Sequence, residues 1–166
     1  VGNHSSENET FYTHNINSGV SGFNKINIES NDSIKLEKLR QKNNHEKQDY
    51  IDSLNLNREV RVIRLDEYID SFKPDLHVDF LKIDTQGHEA EVLEGLGKKL
   101  DNIDVVLTEL MFFDFYEKSL SFSDIEKYLH QYNFRIYDIS HISKNPMNGR
   151  TDWVDVIYVN KRILEK

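Results

Sequence analysis

The sequence predicts an α/β fold built on a parallel sheet, and three observations point to it. Residues 78–93 pass from a short run dense in Phe, Leu and Ile, through Asp84-Thr85-Gln86-Gly87, into helical spacing. That is how a buried strand, a tight turn and a crossover helix read. Residues 103–110 form a second mostly apolar run, at the distance a right-handed β-α-β unit requires, so the two strands should lie parallel. At 166 residues the chain can bury a sizeable core, and no linker divides it, so one domain, whole or partial, is expected.

Taken in order, residues 9–23 alternate loosely around Asn17-Ser18-Gly19 turn chemistry and predict a short hairpin or edge strand. Residues 24–58 are rich in Asn, Lys, Glu and Asp, with scattered apolar positions at partial helical spacing. This reads as a polar surface insertion, since charge runs mark solvated faces. Strand-like alternation returns over 59–65, and Leu65, Tyr68, Ile69 and Phe72 then fall at helical spacing up to Pro74. The helix after the central strand is predicted from about His88 to Leu100, with Ala90, Leu93, Leu96 and Leu100 on one stripe. Glu89 and Glu91 suit the positive end of its dipole and Lys98-Lys99 the negative end. Past an aromatic loop at 111–116, Ser123-Asp124-Ile125-Glu126 fits a capping box opening a third helix. Residues 134–140 and 153–160 alternate as two further strands joined by a turn at 146–149, an antiparallel pair at the carboxyl-terminal edge of the sheet.

Composition removes several function classes. A net charge of -8 leaves no clustered cationic face for a phosphate backbone, so no nucleic-acid partner is expected. With no Cys there are no disulfides, thiolate metal sites or Cys nucleophiles, which fits a reducing, cytoplasmic setting. No run approaches a membrane span or the apolar core of a signal peptide, so no membrane partner is expected. The chain begins at Val1 rather than Met, which reads as a fragment of a longer product. Seven His residues are scattered without ligand spacing, so no metal is expected. His88-Glu89 opens like the zinc-protease helix, but Val92 stands where its second His is required.

The candidate chemistry gathers at the carboxyl end of the central strand, where open parallel sheets bind ligands. Alternation puts Phe80, Lys82 and Asp84 on one face and Leu81 and Ile83 on the other. An ammonium in such a strand needs a carboxylate, and Asp84 or Glu109 of the next strand can supply it. Asp84, Gln86 and the Gly87 turn can hydrogen-bond a polar ligand, with a helix cap as the plain alternative for Asp84. Glu109 points into the same crevice if the strands are parallel, either as a ligand contact or as the partner of Lys82.

Leu81-Lys82-Ile83-Asp84, then Gln86-Gly87-His88-Glu89 and Val92-Leu93-Glu94-Gly95, resembles the FkbM-type S-adenosylmethionine-dependent methyltransferases. Val60-Arg61-Val62 with Leu65-Asp66, Val105 to Glu109, and Ser18-Gly19-Val20-Ser21 match the same family in order. Gln86 stands where the family more often has Glu. The resemblance implies a Rossmann-like class I methyltransferase fold, a three-layer sandwich whose amino-terminal cofactor half, with its glycine-rich turn, is missing from this polypeptide. It implies transfer of a methyl group from S-adenosylmethionine to an oxygen of a small molecule or carbohydrate acceptor. Asp84, Glu89 and Glu109 are then the candidate catalytic residues, and Asp84, Gln86 and Gly87 the candidate cofactor contacts. A non-catalytic binding or scaffold domain derived from the same fold is the alternative.

Overall fold

The computed structural model describes residues 1–14, 18–27, 53–112, 114–118, 121–146 and 148–165. Most of the predicted polar insertion, residues 28–52, lies outside them. The two ends that are described belong to the body of the fold. Ile26 and Leu54 are buried together with Tyr116, and 56–58 are already strand.

Two sheets form. Strand β1 (Ser6–Thr13) pairs antiparallel with β2 (Leu56–Val62), from Glu9 opposite Val60 to Thr13 opposite Leu56. Of the predicted hairpin or edge strand, the edge strand forms, paired with the distant β2, and among the described residues one bridge, Tyr12 to Gly22, brings the following segment back to β1. The second sheet has the order β3-β4-β6-β5, with β3 spanning Val78–Ile83, β4 Ile103–Met111, β5 Phe134–Lys144 and β6 Thr151–Asn160. Strands β3 and β4 are parallel, as the crossover spacing requires, and β6 is antiparallel to both its neighbours. The terminal pair therefore sits together at one edge of the sheet, antiparallel as predicted, with β6 against β4 and β5 outermost. Among the described residues β3 pairs on one side only, so the central strand of the motif is an edge strand and not a buried one.

Helix α1 (Leu65–Phe72) buries Ile69 and stops at the residue before Lys73-Pro74, where Lys73, with φ of -154° and ψ of 79°, has left the helical region that a following proline disfavours. Arg64 braces its first turn, donating from Nε and Nη2 to Asp66 at 3.0 and 2.6 Å. Helix α2 (Glu89–Leu96) gives way to a 3₁₀ segment (Gly97–Asn102) at Gly97, whose φ of 49° breaks the predicted continuous helix in two. The predicted stripe of Ala90, Leu93, Leu96 and Leu100 is buried across that break. Helix α3 (Phe122–Gln131) starts two residues ahead of the predicted box: Ser121 is the cap, accepting from the Asp124 amide. It closes with Asn133 in the left-handed conformation common after helix ends. A single turn, α4 (Lys161–Leu164), follows β6.

Ile69, Leu93, Leu96, Ile125 and Leu129 of the three longer helices pack with Ile83, Val106, Leu110, Val154, Val156 and Tyr158 in one core. Each fully buried Leu or Val there contributes about 1.5–3 kcal/mol. The described residues thus form two layers, with helices on one face of the four-stranded sheet. The other face keeps Phe80 at 55% exposure, so the third layer of the expected sandwich is not among the described residues.

Candidate functional site

The turn after β3 is held from three directions. Gln86 and Gly87 both take positive φ, 57° and 87°, which reverses the chain before α2. At Gly87 only glycine fits, because a Cβ would lie 2.6 Å from Cδ2 of Tyr116. Gly22 is equally pinned, since a Cβ there would meet the Gln86 carbonyl oxygen at 2.9 Å. The Asn24 side-chain amide donates to the Gly87 carbonyl at 2.6 Å. From the helix side, Glu89 Oε1 accepts from the Thr85 amide at 2.8 Å, the Thr85 hydroxyl at 3.2 Å and the Gly87 amide at 3.3 Å. Glu89 is buried and spends its carboxylate on the loop; burial pushes its pKa upward against those hydrogen bonds. Of the sequence candidates it is the one turned away from the crevice and into the turn.

Asp84 sits where the strand predicts, on the exposed face beside Lys82. Lys82 Nζ donates to Asp84 Oδ2 at 2.7 Å, and Gln86 Nε2 donates to Oδ1 at 2.8 Å. The predicted partner of Lys82 is therefore Asp84. The Lys82 hydrogen bond, seconded by Gln86, holds the Asp84 carboxyl below the usual carboxylate range, and Lys82 is raised in return. The Asp84 side chain is 37% exposed, so it remains open to a ligand.

Glu109 lies on the neighbouring strand. The register pairs Ile83 with Thr108, so Asp84 and Glu109 are the next step along the parallel pair, and Glu109 is directly opposite Asp155 of β6. Asp155 in turn is opposite His141 of β5. One row of ionisable residues thus crosses β4, β6 and β5 on the face away from the helices and is continued by Asp84 just past the end of β3. Burial first, then the charges of Asp84, Glu89 and Asp155, push Glu109 up to about 7, against the opposing pull of Lys82. Neighbouring like charges cannot all ionise cheaply, and the half-buried member keeps its proton longest. Asp84 and Glu109 are thereby separated into an ionised carboxylate and one that titrates near neutrality.

His88, next to the turn, takes no part in such chemistry. Burial lowers its pKa to about 4, and its ring packs on Phe23 with centroids 4.6 Å apart. At the opposite end of β3 and β4 the fold does assemble what the scattered His spacing hid. His77, Asp79 and Asp104 come close enough to share a cation, although His77 Nε2 is 3.1 Å from Asp104 Oδ2 and Arg162 already holds the other oxygen at 2.6 Å. A cavity of about 370 Å³ between β1, β2 and α1, lined by Ser6, Arg61, Val62 and Tyr68 among others, is separate from the Asp84 crevice.

Sequence reasoning missed Asn24, Tyr116 and Asp155. Tyr116 stood in an aromatic loop with nothing to mark one ring over another. Asp155 stood on the polar side of an alternating strand, and only the β4–β6 register sets it against Glu109. No helix among the described residues is long and apolar enough to cross a membrane.

No curated protein and no solved structure matches the chain. The family model for the methyltransferase FkbM domain matches residues 1–136 of the 166, a stretch that contains the turn after β3, the α2 crossover and the β4 carboxylate. With most of the chain covered, and the paired strands in the order that the motif required, this protein belongs to the FkbM methyltransferase domain family.

Proposed function

We propose that the domain serves S-adenosylmethionine-dependent methyl transfer to a hydroxyl of a small molecule or sugar, with Glu109 as proton acceptor and Asp84 as the contact to cofactor or acceptor. The observation that carries this reading is the pair of unlike carboxyls at the ends of β3 and β4, Asp84 held ionised and Glu109 pushed up to about 7. Adjacent carboxyls driven apart in pKa divide acid and base roles between them, and a base works best when its pKa lies near the working pH.

The residues present fit the cofactor's charge. An acidic row, exposed at Asp84 and half-buried at Glu109, suits a cationic sulfur, and Asp84, Gln86 and Gly87 would hold it beside the open edge of β3. When bound, S-adenosylmethionine supplies the methyl group to be transferred. The chain's own part is to take up the hydroxyl proton at Glu109 and to orient the acceptor through an Asp84 that is fixed on both oxygens, and positioning of this kind carries much of the acceleration. In this reading the glycine-rich cofactor turn is supplied by residues outside 1–166.

The test is methyl transfer from labelled S-adenosylmethionine to a panel of sugar and small-molecule hydroxyl acceptors, using the protein that carries this domain. Glu109→Gln should lower kcat by about 10²–10⁴-fold, and Asp84→Asn should abolish turnover while the protein stays folded. Because Glu109 must be deprotonated to act, wild-type activity should rise as pH increases through about 7, and the Gln variant should lose that step. Wild-type turnover in both variants would sink the assignment. A second reading, a binding or scaffold domain, draws support from the internal pairing of both Asp84 oxygens; it predicts no binding of S-adenosylhomocysteine.

A further inference from the structure

Tyr116 is 1% exposed, yet its hydroxyl enters the polar network of the site. It donates to Gln86 Oε1 at 2.8 Å, with the Val20 carbonyl oxygen 3.3 Å away as a weaker partner. Gln86 Nε2 in turn donates to Asp84 Oδ1 at 2.8 Å. The direction of these bonds is forced. An ionised carboxylate only accepts, so the NH₂ end of the amide must face Asp84, its oxygen must face Tyr116, and the phenol must be the donor. Burial keeps the phenol protonated far above its usual range, so the proton it needs is always there.

The anchor is itself rigid. Tyr116 bridges to Ile26, the Glu117 amide donates to the Lys25 carbonyl at 3.0 Å, and the Asn27 amide donates to the Phe115 carbonyl at 2.8 Å. The same 24–27 segment holds the Gly87 carbonyl through Asn24, and the Tyr116 ring fills the space a Gly87 side chain would take. Gln86 is one of three non-glycine residues at positive φ among the described residues. A backbone in that region persists where its surroundings over-determine it, and here they consist of Tyr116, Gly22 and Asn24.

We propose that Tyr116 is a positioning residue that acts through the Gln86 amide to set the direction in which the Asp84 carboxylate faces the crevice. Without the hydroxyl, the amide loses the partner that fixes its rotation, and Asp84 is left to Lys82, whose side chain is 55% exposed. The functional half of the proposal rests on the reading of Asp84 as a contact in methyl transfer. The structural half does not.

The experiment is a carbon-13 NMR titration of the Asp84 carboxyl in the full-length protein, in wild type, Tyr116→Phe, Gln86→Ala and the double variant, with kcat, KM and S-adenosylhomocysteine affinity measured on the same four. Phe keeps the ring that packs on Gly87, so the variant changes the hydroxyl alone. Tyr116→Phe should raise the Asp84 midpoint, Gln86→Ala should raise it at least as far, and the double variant should titrate like Gln86→Ala. Turnover should fall about tenfold in Tyr116→Phe, through kcat and not through cofactor affinity, as expected for a misaligned reacting group. An unchanged Asp84 midpoint in Tyr116→Phe, additive shifts in the double variant, or wild-type kcat in Tyr116→Phe each overturn the proposal. Failure of the wild type to bind S-adenosylhomocysteine would remove the methyl-transfer reading alone, and the titration cycle would still decide whether Tyr116 orients Asp84.

Discussion

Gly87 and Gly149 have similar left-handed backbones, with φ of 87° and 73°, but their surroundings separate them. A Cβ at Gly149 meets nothing within 4 Å, whereas at Gly87 it runs into the Tyr116 ring. Gly149→Ala should therefore cost only the left-handed penalty of about 1–2 kcal/mol. Gly87→Ala adds overpacking of about 1–3 kcal/mol on top of that, and urea unfolding of the two variants measures the difference. The same comparison shows what residue-level reading can and cannot supply. That Gly87 lies in a turn was legible from its place after Asp84. That the turn is sealed by an aromatic ring 29 positions later was not, because no local pattern distinguishes Tyr116 from the other aromatic residues of its segment.

At the scale of elements, local signals located the helices and strands but left their ends to packing. Both Ser121 and Ser123 stand three residues before an acid, and both satisfy the same capping pattern. The choice fell on Ser121 because starting there brings Phe122 into the helix, where it stacks on Phe112 with centroids 5.5 Å apart and packs on the core. Ser121 donates to the Asp124 carboxylate at 2.6 Å and accepts from its amide at 3.4 Å. Ser121→Ala should cost about 1 kcal/mol, while Ser123→Ala should stay within about 0.5 kcal/mol. Equal losses on thermal unfolding would return the cap to Ser123. Likewise the crossover helix was predicted as one piece, and Gly97 divides it without disturbing the buried stripe, since Leu100 of the 3₁₀ segment is as buried as Leu93.

The whole molecule is defined by the two unlike faces of its larger sheet. The face under the helices is closed: Leu93 is 0% exposed, and Leu93→Ala should cost about 2–5 kcal/mol. The face that carries Lys82, Asp84, Glu109 and Asp155 is open at the β3 edge, so Phe80→Ser should change stability by less than about 1 kcal/mol. Chemical denaturation of both variants checks the asymmetry, and a large loss for Phe80→Ser would mean that this face is covered in the protein as tested. The openness also explains why β3 was expected to be buried and is not. Its Phe, Leu and Ile content reads as a strand covered on both sides, and composition alone does not say how many neighbours a strand has.

What the sequence determined by itself was local and periodic. It contained the strand, turn and helix around Asp84, the parallel pairing that a crossover of that length imposes, the face shared by Lys82 and Asp84, and the family motif. These follow from spacing along the chain, and spacing is what a sequence records. The tertiary structure alone decided the rest. It inserted β6 between β4 and β5 and so set Asp155 against Glu109. It paired β1 with β2 across more than 40 residues, and it brought Tyr116 and Asn24 onto the Gln86-Gly87 turn. These depend on register and on contacts between segments far apart in the chain. A one-residue slip in register would turn every side chain of a strand to the other face, and that choice is made by the packing of the whole core.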